Sequence, residues 1–225
     1  MDTLRLFYAI PLDTEARAKL ADEQHKLREY IEIRNDPEMV RSLRWTSPAT
    51  FHLTLRFLGE TNRQLLEKLS RAGIKTAANM APFTLKLGKW GAFHRQGFVS
   101  VLWLGLSDGE RNAAHLADGL SRELSLVGVS VDRRPFQGHL TLARVRRPVK
   151  LTLPNFDTDG VSDITAKIDR MVLMQSHLLP TGPLYEEVAS FPMTGEYHEQ
   201  NSVESRIIMA QHKETPLPKS QKQEI

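Results

Sequence analysis

Residues 51–60 read FHLTLRFLGE and residues 138–145 read GHLTLARV, so one chain spells His-Leu-Thr-Leu twice, in unrelated surroundings. Both stretches are rich in strand-forming residues. Side chains alternate faces along a strand. His52, Thr54 and Arg56 therefore share one face, with Leu53, Leu55 and Phe57 on the other. The same parity pairs His139 with Thr141, opposite Leu140 and Leu142. Each strand thus offers an imidazole and a hydroxyl on one side and an apolar surface for packing on the other. A lone His-x-Thr would be read as a core histidine bonded to a carbonyl. Two full copies of the string make coincidence a poor account.

The elements around these strands alternate. LRLFYAIPL (4–12) reads as a strand closed by Pro11, and Asp13 can cap a helix carrying Ala16, Leu20, Leu27 and Ile31 at helical period. LRWTSPATFHLTLRFLGE (43–60) is extended, broken at Ser47-Pro48. Thr61 with Gln64 forms a capping-box pattern for a second helix over about 62–80. FTLKLGKWGAF (83–93) and FVSVLWLGL (98–106) read as a hairpin turned by HRQG. Ser107 with Glu110 opens a third helix, running to about Gly128. KLTLPNFDTDG (150–160) is irregular and ITAKIDRMVLMQSHL (164–178) is strand-like. PTGPLY (180–185) is a turn by composition, and EEVASFPM (186–193) is the last strand. The chain from about residue 194 is polar and weakly patterned, a tail of loose attachment with one short helical stretch near VESRIIMA. This order predicts two related α+β lobes, each supplying one His-Leu-Thr-Leu strand, in a single catalytic domain over 1–193 followed by a tail over 194–225.

Composition narrows the chemistry. The 225 residues contain no cysteine, which leaves neither disulfides nor thiolates to work with. No apolar stretch reaches the length of a membrane span. The N-terminus enters strand-like sequence without a signal-peptide pattern, so a cytoplasmic protein is expected. Net charge is only +3, yet Arg133, Arg134, Arg144, Arg146, Arg147 and Lys150 follow one another with no acidic residue between them. By itself such a run reads as a solvated face. Because it encloses His139 and Thr141, it also favours an anionic substrate.

Paired histidines have several uses. Metal binding is weakly supported, since there is no His-Glu-x-x-His string and threonine is a rare zinc ligand. DTDG (157–160) resembles part of a calcium loop, but the glutamate position would be Ala166. No nucleophile-elbow or phosphate-loop glycine pattern occurs. Two facing imidazoles suit acid–base work, one removing a proton from water and one donating to a leaving oxygen. The threonine hydroxyls can hold a phosphate between them. Trp45, Trp90, Phe93 and His94 are candidates for stacking on a base. Trp103, inside an apolar strand, is expected to pack in the core. His25, His115, His177, His198 and His212 lack a matching threonine and read as ordinary.

At the two motifs the chain resembles the two-histidine phosphoesterase superfamily. It most resembles the LigT/ThpR-like RNA 2′,3′-cyclic phosphodiesterases, historically called 2′-5′ RNA ligases. RLFYAIPL, FHLTLRFLGE, VLWLGL, RPFQGHLTLAR and VLMQSHLLPTGPLY occur in the family's order, over about residues 4–193. The resemblance implies an α+β, bilobal fold, two antiparallel sheets around a central cleft with helices outside. It implies metal-independent hydrolysis of an RNA-terminal 2′,3′-cyclic phosphate to a 2′-phosphate without a cofactor, with His52 as proton donor and His139 as proton acceptor. Reverse 2′-5′ ligation would use the same cleft. Thr54, Thr141 and Arg144 are implied to hold the substrate. Arg144 lies on the wrong parity unless the strand twists or bulges, whereas Arg56 has the right parity for a supporting cation. Gly138 stands where the family usually has proline, which predicts a looser approach to the second strand. A cyclic phosphate on a small nucleotide or ADP-ribose is an alternative substrate, and a non-catalytic RNA-binding module an alternative function. The expected partner is an RNA end, met by a monomer without a protein partner or membrane.

Overall fold

The computed structural model describes residues 2–130, 134–156, 161–179 and 182–195. The elements run β1 (Thr3–Pro11), α1 (Thr14–Arg34), α2 (Pro37–Val40), β2 (Leu43–Trp45), β3 (His52–Asn62), α3 (Leu66–Ala78), β4 (Phe83–Arg95), β5 (Phe98–Asp108), α4 (Glu110–Leu126), β6 (His139–Val145), β7 (Val161–Ile168), β8 (Arg170–Leu179) and β9 (Gly182–Pro192). The strands form two antiparallel sheets, ordered β3-β1-β8-β9 and β2-β6-β5-β4-β7. The two His-Leu-Thr-Leu strands thus belong to different sheets and touch across them. This is the α+β architecture expected.

Local chemistry explains most boundaries and corrects some expected ones. The Asp13 carboxylate accepts from the Ala16 amide at 2.8 Å and starts α1. The second helix is capped one residue later than the Thr61 pattern suggests. The Asn62 side chain accepts from Gln64 N and opens a 3-10 turn that leads into α3. Thr61 instead finishes β3 and donates its hydroxyl to the Gly59 carbonyl at 3.2 Å. Gly109, with φ +78°, caps α4, and Ser107 donates its hydroxyl to the carbonyls of Lys86 and Leu87. The run 164–178 is two strands in different sheets, parted at Asp169. No Gly or Pro marks that break.

The helices are shared between the sheets. α1 follows β1 of the first sheet and packs beside β7 of the second. α4 follows β5 of the second and packs against β3 of the first, while α3 lies on β8 and β9. One continuous core joins these layers and holds Leu53, Leu55, Leu140 and Leu142, all buried. Burying each leucine contributes about 1.5–3 kcal/mol. A one-residue slip of either motif strand would turn its leucines to the cleft and its imidazole to the core. The leucines therefore hold the histidine face outward.

At the C-terminal end, Thr194 Oγ1 donates to the Ala78 carbonyl at 3.4 Å and Gly195 N to the Met80 carbonyl at 3.0 Å. The chain is tied there to the end of α3. The rest of the tail, with the helical stretch near VESRIIMA, His198 and His212, lies outside the described residues. So do Arg133, DTDG and the first two residues of PTGPLY.

Candidate active site

Between the sheets lies a cleft of about 620 Å³ lined by both motif strands: His52 and Thr54 from β3, His139, Thr141 and Arg144 from β6. Each imidazole is tied in the same way. His52 Nδ1 lies 2.8 Å from the Thr50 carbonyl and His139 Nδ1 lies 2.8 Å from the Gln137 carbonyl. A carbonyl can only accept, so Nδ1 carries the hydrogen and Nε2 is the free nitrogen of the neutral ring. The surroundings of the rings differ. Phe7 and the edge of Tyr185 lie 5.0 and 5.2 Å from His52, whereas Phe93 meets His139 edge-on at 4.8 Å.

Burial pushes the pKa of both imidazoles below the ordinary value, against the raising effect of their carbonyl bonds. The Arg144 guanidinium lowers both further, and His139 adds its own repulsion at His52. Before an anion binds, the cleft favours neutral imidazoles.

The parity of the arginines is settled by one backbone device, used twice. In β3 the register against β1 jumps between Tyr8–Arg56 and Ala9–Thr54. In β6 the register against β5 jumps between Leu102–Ala143 and Trp103–Thr141. Each jump inserts one extra residue, a β-bulge, so two consecutive side chains face the core: Leu55 with Arg56, and Leu142 with Ala143. The residue five beyond each histidine then returns to the cleft. In β6 that residue is Arg144; in β3 it is Phe57.

Arg56 is therefore not in the cleft. It is buried against α4, donating to Ser121 Oγ at 2.6 Å and Asp118 Oδ1 at 3.0 Å. Strict alternation put it on the histidine face, and the bulge removes it. The β6 bulge is secured from α1 instead. The buried Gln24 amide donates to the carbonyls of Leu142 and Thr46, both at 2.8 Å.

Gly138 is also held. Its amide donates to Glu110 Oε1 at 3.1 Å, a bond proline could not make, and a Cβ there would overlap Leu106. The expected loosening before the second histidine is answered by this tether.

Of the aromatic candidates, Trp45 lines the cleft, Trp90 is buried in the core and His94 is exposed. Phe93 and Trp103 are half-buried beside His139. Trp103 pairs with Thr141 and faces the cleft side of its sheet rather than the core. His25 and His177 each pair with a surface glutamate at 3.2 Å. Arg134, Arg146, Arg147 and Lys150 are exposed. Among the described residues, no three histidine or carboxylate side chains converge as a metal-holding group, and no helix is long and apolar enough to cross a membrane.

Sequence reasoning passed over Arg5, Arg44 and Tyr185, which also line the cleft. They come from β1, β2 and β9, and only the pairing of distant strands brings them together.

Comparison with known proteins places the fold in a known family. The chain is 31% identical over 200 residues to the RNA 2′,3′-cyclic phosphodiesterase of Thermus thermophilus, covering 86% of this chain and 92% of that one. The protein of the same name from Archaeoglobus fulgidus is 27% identical, covering 84% and 99%. Among solved structures, a Thermus thermophilus crystal structure superposes with a TM-score of 0.68 at 29% identity, covering 86% of this chain and 100% of that one. LigT of E. coli complexed with 3′-AMP superposes with a TM-score of 0.64 at 25% identity, covering 86% and 99%. The family model for LigT-like phosphoesterases matches twice, over residues 16–103 and 104–185. One histidine motif falls in each match, and the chain belongs to the LigT-like phosphoesterase family.

Proposed function

We propose that the cleft hydrolyses the 2′,3′-cyclic phosphate at an RNA end to a 2′-phosphate, in the cytoplasm. The observation that carries this reading is the pair of imidazoles, tied alike through Nδ1 and facing one cleft that also holds Thr54, Thr141 and Arg144. His139 Nε2 takes a proton from water as its oxygen bonds to phosphorus. His52, protonated at Nε2, gives its proton to the ribose 3′-oxygen as the P–O3′ bond breaks. The products are a 2′-phosphomonoester and a 3′-hydroxyl, and the two histidines have exchanged protonation states. Thr54, Thr141 and Arg144 hold the non-bridging oxygens, where charge builds up. 2′-5′ ligation would use the same cleft with the 5′-hydroxyl of a second RNA end in place of water. His139 takes its proton as its oxygen bonds to phosphorus, and His52 protonates the 3′-oxygen as P–O3′ breaks, leaving a 2′-5′ phosphodiester and a 3′-hydroxyl.

All of these groups come from one chain, which supports a monomeric catalyst. We assign catalysis to residues 1–193 and none to the tail. The test is incubation of an oligonucleotide ending in a 2′,3′-cyclic phosphate, with and without EDTA, followed by identification of the product isomer. A 2′-phosphate formed at equal rate in EDTA is expected. Activity lost on chelation and restored by a divalent ion, or a 3′-phosphate product, would overturn the mechanism. His52→Ala and His139→Ala should each cost roughly 10²–10⁴-fold.

A further inference from the structure

The cleft holds more positive charge than a cyclic phosphate requires. Arg5 and Arg44 line it together with Arg144, while a cyclic phosphate carries a single negative charge. Arg44 and Arg144 are direct cross-strand partners on β2 and β6. Like charges in that position repel and weaken the sheet unless an anion lies between or beside them. Among the described residues neither arginine has a carboxylate partner. Arg5 has only a loose one, exposed Glu60 at 3.7 Å, and its guanidinium lies 4.8 Å from the Phe57 ring centroid.

Tyr185 connects the three. Burial raises its phenol pKa, and Arg144, Arg5 and Arg44 all act to lower it, so the phenol stands within the field of every cleft arginine. Its hydroxyl donates to no protein acceptor among the described residues. Arg44 is also held in place: a Cβ at Gly182, on the neighbouring sheet, would overlap its guanidinium. A guanidinium packed against backbone loses less freedom when it binds an anion.

We propose that Arg44 and Arg5, with the Tyr185 hydroxyl, form a second phosphate subsite. It takes the phosphodiester on the 5′ side of the terminal nucleoside, so the cleft selects an oligonucleotide end over a mononucleotide. This rests on the cyclic phosphodiesterase reading and specifies the length of substrate it needs. The terminal phosphate lies between the histidines against Arg144, and the preceding phosphate lies against Arg44 and Arg5, which line the same cleft.

Three substrates test it: uridine 2′,3′-cyclic phosphate, the same nucleoside with a 5′-phosphate, and the dinucleotide UpU with a 2′,3′-cyclic end. Expected is a kcat/KM for the dinucleotide at least about tenfold above the plain nucleoside, as one charge-assisted contact supplies. That ratio should shrink as salt is raised. Arg44→Ala and Arg5→Ala should each bring the ratio most of the way to one, and Arg44→Lys should restore part of it. Arg146→Ala, on the exposed basic run, should leave the ratio unchanged. Thermal melts identify any variant that fails to fold, and Arg5 and Arg44 give two independent readings. A wild-type ratio near one, with the plain nucleoside hydrolysed, overturns the subsite alone. So does a ratio unmoved by both alanine variants. A gain from the 5′-phosphate equal to that of the dinucleotide assigns the subsite to mononucleotides and overturns the oligonucleotide reading. No turnover of any of the three overturns the cyclic phosphodiesterase reading itself.

Discussion

Gln24 is the sharpest place to perturb the site without touching it. Its side-chain amide donates two 2.8 Å bonds, to the Leu142 and Thr46 carbonyls, from a buried position on α1. Leu142 also accepts from Thr46 N at 2.8 Å, so it keeps one donor when Gln24 is lost. Thr46 O loses the donor that Gln24 supplies. Replacing the amide by Gln24→Leu therefore removes two bonds and leaves a carbonyl under-satisfied, a cost of about 2–3 kcal/mol. For a chain of this size the melting temperature should fall by roughly 4–12 °C. Leu142 lies in the bulge that returns Arg144 to the cleft, so the KM for a cyclic phosphate oligonucleotide should also rise severalfold. Because this effect passes through Arg144, Gln24→Leu should add little to KM in an Arg144→Ala background. Gln24→Glu should be worse than Gln24→Leu, as it aims a carboxylate at two carbonyl oxygens. Melting by circular dichroism and a double-mutant cycle on KM test the two halves separately. An unchanged melting temperature would refute the energetic argument. Equal KM effects with and without Arg144 would refute the link through the bulge.

Arg56→Met should cost about 1.5–3 kcal/mol of stability, since it removes a buried guanidinium bonded to Ser121 and Asp118. Urea unfolding should report it, with a smaller KM change than Arg144→Ala; a KM loss equal to that of Arg144→Ala would return Arg56 to the cleft. The pH profile should be bell-shaped, with kcat/KM highest on the acid side of 6.5, because burial and Arg144 lower both imidazoles from that value in the free protein. As pH falls His139 gains its proton and ceases to act as base, and as pH rises His52 loses the proton it must donate. A bound phosphate anion favours both imidazolium forms, so the kcat profile should lie to the alkaline side of the kcat/KM profile. Arg144→Ala should move the kcat/KM limbs upward in pH, and limbs that stay fixed would show that its charge does not reach the histidines.

Much of this site can be read from alternation alone. His52, Thr54, His139 and Thr141 line the cleft because leucines at the intervening positions are buried by the core. The same rule fails within the next three residues of each strand. A bulge has no composition of its own in LTLRF or LTLARV, so strict parity favours Arg56 and places Arg144 on the wrong face. The Asp169 break is equally silent: two sheets can be served by one unbroken run when each half satisfies its own sheet. Trp103 looks like core because its strand is apolar on both sides, yet its pairing with Thr141 turns it toward the cleft. Gln24, Arg5, Arg44 and Tyr185 carry no local signal. Their importance depends on contacts between elements far apart in sequence, which period and capping rules do not describe.

The order of strands has a consequence for how the molecule can be taken apart. The chain passes from one sheet to the other between β1 and β2, β2 and β3, β3 and β4, and again β7 and β8. The two family matches divide at residues 103 and 104, yet each sheet draws strands from both sides of that point. Gene halves cut there would split β5 and each carry only part of both sheets, and neither could close a core alone. Produced together, they would regain activity only by folding around each other. The two halves are repeats in sequence and interwoven threads in space, so the histidines face each other across a stitched seam rather than a hinge.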